Sequence, residues 1–156
     1  MIAPALWQLL ALCAPRVAPS TMSALVAYES GANPYAIDDD TAGRAYFPGD
    51  RTSAEKIALR LLAEGHDIDV GYAQVNSANF AALGLDVHAA FDPCRNVAAG
   101  GAILLSAYAA AVRRYGADPP PLAQALSAYN SGDLTRALGY ARGVFAMAKT
   151  IRRPLR

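Results

Sequence analysis

Residues 20–31 read Ser-Thr-Met-Ser-Ala-Leu-Val-Ala-Tyr-Glu-Ser-Gly, and their spacing predicts one short helix ending in a carboxylate. Met22, Leu25, Val26 and Glu29 fall at i, i+3, i+4 and i+7, so Glu29 shares the stripe that the apolar residues bury. Gly31 is suited to end the helix in a left-handed conformation. That leaves Glu29 in the last turn, where the backbone carbonyls carry partial negative charge. Partial burial and the helix C-terminus both disfavour an ionised carboxylate, so the expected pKa shift is upward, toward what a general acid needs near neutral pH. The helix by itself leaves two readings open, a functional acid or a glutamate that frays into water, because such positions also occur without function.

Around this stretch the chain reads as further short helices. Pro4–Cys13 is expected as a short buried helix, with Trp7 and Leu10 at i and i+3. No Lys or Arg precedes the apolar run Met1–Leu12, and Leu12 is too large to precede a cleavage or lipidation site at Cys13, so no export signal is evident. After Gly31, Asn33-Pro34 prevents the helix from continuing. Asp38 to Gly49 is polar and suits a small hairpin or an ordered loop. Ser53 is expected to start a helix with an imperfect capping box, since Lys56 stands where Glu would serve. Asp67 to Asn76 leaves strand and loop both open. A helix over 78–83 closes at Gly84, and the longest helix, Arg95 to Tyr115, is the expected centre of the fold. Within it Gly100-Gly101 marks a place where another backbone approaches closely. Asp118 to Pro121 is a stiff connector, Leu122 to Tyr129 is helical, and Leu134 to Ile151 supplies one or two closing helices. The expectation is a single compact, mainly α domain over 1–156, of α+β type with one small irregular or β-hairpin segment.

Composition narrows the function. The chain of 156 residues is 54% hydrophobic and 17% charged, without a run of about 18 uninterrupted apolar residues, so no membrane span is expected. A net charge of +1 supplies no field of one sign, which removes the usual argument for nucleic-acid binding. The basic tail over 149–156, with Lys149, Arg152, Arg153 and Arg156, reads as a solvated terminus. Cys13 and Cys94 cannot form a tetrahedral zinc site unaided, and His66 and His88 have no ligand partner at suitable spacing, so no metal is expected. The two cysteines are either free thiols or, in an oxidising compartment, a bridge closing about 80 residues and stabilising by roughly 4–5 kcal/mol. We favour the bridge. Asp38, Asp39 and Asp40 read as a solvated loop, and Asp69 as a turn or cap residue.

Three polar breaks punctuate the apolar chain, at Glu29-Ser30-Gly31, Gly71–Asn76 and Tyr129–Gly132. Together they assemble a carboxylic acid, two amide-bearing segments and Tyr28, Tyr72 and Tyr129. Amides and aromatic faces suit a neutral, hydroxyl- and acetamido-rich carbohydrate.

Glu29-Ser30-Gly31 with Asn33-Pro34, then Gly71-Tyr72-Ala73-Gln74-Val75-Asn76, then Ala128-Tyr129-Asn130-Ser131-Gly132 resemble the motifs of lytic transglycosylases with the goose-type lysozyme fold. In that family they are Glu-Ser, a Gly-Leu-Met-Gln-Ile-like segment and an Ala-Tyr-Asn-Ala-Gly-like segment. Tyr72 and Ala73 depart from the second. Residues 13–21, 65–70 and 91–94 point further, to the VirB1-like transglycosylases of type IV secretion and conjugation systems. The resemblance implies a lysozyme-like fold and cleavage of the β-1,4 bond between N-acetylmuramic acid and N-acetylglucosamine without a cofactor. It implies that Glu29 protonates the glycosidic oxygen, that the substrate's acetamido group stabilises the sugar cation, and that Glu29 then takes the C6 hydroxyl proton to give a 1,6-anhydro product. By the same likeness Tyr129 orients Glu29, Ser30 supports it, and Gln74, Asn76 and Asn130 belong to the sugar-binding cleft. A periplasmic site, peptidoglycan strands and secretion-apparatus partners follow from it. Two alternatives remain: a goose-type lysozyme hydrolase, which needs a second carboxylate from Asp38–Asp40 or Asp69, and a wall-binding assembly subunit.

Overall fold

A computed structural model describes residues 3–151. Arg152, Arg153 and Arg156 of the basic tail, with Met1 and Ile2 of the apolar start, lie outside the described residues. Eight α-helices and a four-stranded antiparallel sheet make up these residues, a mainly α fold with a small β segment. The chain divides into two units, Met1–Tyr28 with Gly101–Arg156, and Glu29–Gly100.

The first unit holds α1 (Pro4–Cys13), α2 (Pro19–Ser30) up to Tyr28, α6 (Pro93–Tyr115) from Gly101 onward, α7 (Leu122–Ser131) and α8 (Leu138–Thr150). Leu10, Met22, Leu25, Val26 and Leu126 are fully buried. Gly101 accounts for part of the expected close approach: a Cβ there would lie 3.0 Å from the Ala14 Cβ. The turn between α7 and α8 is pinned by Ser127, whose buried hydroxyl donates to the Asp133 carbonyl at 2.7 Å and accepts from Ala137 N at 2.9 Å. The closing segment is one helix.

The second unit is built on the sheet, in the order β2-β1-β3-β4. Strands β1 (Ile37–Asp39) and β2 (Arg44–Tyr46) make the expected hairpin, and β3 (Ile68–Val70) and β4 (Val75–Asn76) resolve the open segment as strands. Alternation places Ile37, Asp39, Ile68 and Val70 inward. Against β1 and β3 packs α3 (Arg51–Ala63), through a face that buries Ala54, Ala58 and Leu61. Its start corrects the sequence expectation. Asp50, not Ser53, is the N-cap, its carboxylate accepting from Ser53 N at 2.9 Å, because the acidic side chain three residues earlier takes the exposed amide. A 3₁₀ turn at Ser77–Asn79 leads into α4 (Phe80–Leu83), then α5 (Val87–Ala90). Helix α6 begins two residues earlier than expected, with proline at its first position and Asp92 accepting from Arg95 N at 2.9 Å.

The expectation for Asp39 is also corrected. Asp39 is completely buried rather than solvated, and both its oxygens accept from His66 Nδ1, at 2.9 and 3.0 Å. Burial alone would raise its pKa, but the His66 and Ala42 hydrogen bonds and the His66 charge prevail and hold the carboxyl below its ordinary value. His88 is likewise paired, with Glu55 at 2.9 Å. Asp38 and Asp40 are exposed as expected, but Asp38 lies in β1 and only Asp40 lies outside a strand. By length and composition α6 could cross a membrane; its buried Val97, Ala99, Leu104 and Ala111 are equally the pattern of a core helix.

Candidate active site

Helix α2 ends as its sequence dictates. Gly31 takes φ +61°, followed by Ala32 at φ +63°, and the Ser30 carbonyl accepts from Asn33 N at 3.1 Å. Glu29 is half-buried beside a stripe whose Met22, Leu25 and Val26 are sealed from solvent. Ser30 is buried, and its hydroxyl donates to the Tyr72 carbonyl at 2.8 Å. This bond joins the first polar break to the second across 42 positions.

The second break is an ordered turn between β3 and β4. Gly71, at φ +79°, donates its N–H to the Ala36 carbonyl at 2.9 Å. Gln74 lies at φ +45°, a left-handed conformation that costs a non-glycine residue about 1–3 kcal/mol and persists only where its surroundings impose it. Its amide nitrogen donates to the carbonyls of Gly71 at 2.8 Å and Ala36 at 3.2 Å. Gln74 therefore spends its donor on the turn. Burial, and secondarily Tyr35, pushes the Tyr72 hydroxyl above its ordinary pKa. Asn76 caps the 3₁₀ turn by accepting from Ala78 N at 2.9 Å.

A residue not foreseen from the sequence underlies this turn. Asn96 of α6 is 1% exposed, and its amide nitrogen donates to the carbonyls of Val70 and Ala90, both at 2.9 Å, while its oxygen accepts from Ala73 N at 2.8 Å. Any Cβ at Gly71 would overlap that amide. The signal was present: Asn96 shares a helical stripe with Ala99, Gly100 and Ile103, the same polar-on-apolar pattern that singled out Glu29.

Asp69 is a strand residue, not a cap. The antiparallel register sets it between Asp38 on β1 and Asn76 on β4. Its Oδ1 is sealed from solvent and makes no hydrogen bond. Burial first, then the charge of Asp40 and, less, of Asp67 and Asp38, pushes the carboxyl up to about 7, against a hydrogen bond from Asn76.

Tyr129 and Asn130 occupy the last turn of α7, Tyr129 half-buried and Asn130 exposed, before Gly132 ends the helix at φ +70°. They belong to the first unit, whereas Glu29, Ser30, Gln74 and Asn76 belong to the second. Neither Cys13 nor Cys94 is a free thiol. Among the described residues no group of three or more His, Cys, Asp or Glu is arranged to hold a metal ion.

The family described as the transglycosylase SLT domain matches residues 9–145. The chain is 38% identical over 147 residues to protein virB1 of Agrobacterium fabrum, covering 92% of this chain and 59% of that protein. It is 40% identical over 124 residues to type IV secretion system protein virB1 of Brucella suis, covering 79% of this chain and 52% of that one. The chain thus spans somewhat over half the length of these curated relatives. No solved structure matches.

Proposed function

The chain belongs to the transglycosylase SLT family, and from that premise we propose that it is a peptidoglycan lytic transglycosylase serving a type IV secretion or conjugation apparatus. The observation that carries the reading is the Ser30–Tyr72 bond. It ties the turn bearing the one glutamate of the three motifs to the turn bearing Gln74, so an acid and an amide-lined backbone are held as one piece. Positioning of this kind is what a single acid and base needs to act twice on one sugar.

In the proposed reaction Glu29 donates its proton to the glycosidic oxygen as the bond to C1 of N-acetylmuramic acid breaks. The substrate's acetamido oxygen stabilises the cationic centre. Glu29, now ionised, accepts the proton of the C6 hydroxyl as that oxygen closes on C1, so the products are a free N-acetylglucosamine hydroxyl and a 1,6-anhydro sugar. Water is not consumed. Ser30 positions the end of α2, Gln74 holds the 71–76 turn and offers its amide oxygen to the sugar, and the family resemblance gives Asn76, Tyr129 and Asn130 as further sugar-binding residues. The substrate places the protein in the periplasm, with secretion-apparatus components as partners.

Digestion of purified sacculi, with the released muropeptides weighed, tests the proposal. Fragments with a terminal anhydro sugar are expected from the wild type, and a loss of at least 1000-fold in rate from Glu29→Gln. An inactive wild type, or an undiminished Glu29→Gln, overturns it. The upward-shifted Asp69 favours one alternative, a hydrolase in which that carboxylate activates water. Its products would be heavier by one water, and Asp69→Asn would abolish them.

A further inference from the structure

Helix α8 contains two glycines, Gly139 and Gly143, in positions where alanine is the better helix former. Only one has a steric reason. A Cβ on Gly139 would meet nothing closer than the flexible end of Arg142 at 3.5 Å, an ordinary contact. A Cβ on Gly143 would stand 2.5 Å from Cε2, Cζ and the hydroxyl of Tyr28. The far end of the Tyr28 ring therefore sits in a notch that only glycine leaves open. The same ring meets Tyr140 edge to face, with centroids 5.2 Å apart and planes at 84°, so a second residue of α8, one turn earlier, fixes its tilt.

Yet Tyr28 is 41% exposed. A ring left so far in solvent does not need a zero-clearance seat to fill a core, and a smaller side chain would cover α8 as well. What the notch and the edge-to-face contact determine is where the ring stands. Tyr28 immediately precedes Glu29 in the last turn of α2, so locating the ring along α8 locates the backbone that carries the acid. We propose that Gly143 is a positioning residue for the reaction, acting through Tyr28 to set the last turn of α2 and with it Glu29.

The inference rests on the transglycosylase reading, and the experiment separates the two. Initial rates of anhydro-muropeptide release from soluble glycan strands are measured for wild type, Gly143→Ala, Gly139→Ala and Gly143→Ala with Tyr28→Leu, alongside melting curves. Gly143→Ala is expected to lower kcat at least tenfold with KM within twofold, because a displacement of the acid affects the reacting geometry more than the binding of the strand. Gly139→Ala is expected to keep wild-type kcat and to melt no lower. Adding Tyr28→Leu makes room for the new methyl and is expected to restore kcat at least threefold over Gly143→Ala. A folded Gly143→Ala with wild-type kcat, a loss that falls on KM alone, or a loss that Tyr28→Leu does not relieve overturns the inference. An inactive wild type instead overturns the transglycosylase reading.

Discussion

Asp69 is the residue whose titration has the clearest consequence. In the unfolded chain it ionises near 3.8, and in the folded chain near 7. Between those values the native state keeps a proton that the unfolded state has lost, so stability falls as pH rises through the window and stays lower above it. Asp69→Asn removes the penalty. The variant is expected to gain about 1–3 kcal/mol over wild type at pH 8, several degrees in Tm, and nothing at pH 4; parallel melting curves at the two pH values would refute this. Gln74 supplies a second expectation. Gln74→Gly relieves the left-handed backbone but removes both donated hydrogen bonds, so about wild-type Tm should accompany a loss of tenfold or more in kcat/KM on glycan strands. Wild-type kinetics in that variant would remove Gln74 from the site.

The element scale shows what local patterning reveals and what it omits. Helices α1, α2 and α7 begin or end within two residues of expectation, because proline, glycine and the apolar period act on neighbours in sequence. The hairpin was readable only as an alternative to a loop, since three-residue strands are too short to show alternation. The burial of Asp39 is hidden from local sequence for a related reason. Its partner His66 is 27 positions away, and nothing local distinguishes it from Asp38 and Asp40 except parity along the strand. Glu29 was singled out by its stripe, whereas the tie from Ser30 to Tyr72 depends on tertiary packing. Asn96 joins α6, β3 and the 71–76 turn, and its effect should be large: Asn96→Ala removes three buried hydrogen bonds, an expected loss of about 3 kcal/mol or more by denaturant unfolding. A loss below 1 kcal/mol would mean that water replaces the amide.

For the molecule as a whole, the chain passes between its two units inside helices, at Tyr28–Glu29 and at Gly100–Gly101. Neither crossing is a linker, and we expect one cooperative unfolding transition with equal calorimetric and van't Hoff enthalpies. Two separated transitions would show two folding domains. We also propose that Cys13 pairs with Cys94. Alkylation of the unreduced, unfolded protein from an oxidising compartment should label no thiols, and reduction should destabilise the chain by roughly 4 kcal/mol; two labelled thiols would exclude the bridge.

The buried Asp39–His66 pair has one more effect, on which alignments of the sheet are permitted. A slip of one residue moves every side chain of a strand to the opposite face, so a sheet with one buried face specifies its register. Here a slip of one residue in β1 would turn Ile37 and Asp39 outward: in one direction Asp38 enters the buried place of Ile37, where no histidine receives it, and in the other Asp38 faces His66 while Ala36 replaces Ile37 in the core. The pair thus excludes one of the two misaligned sheets by leaving it an unpaired buried carboxylate, and the loss of Ile37 from the core excludes the other.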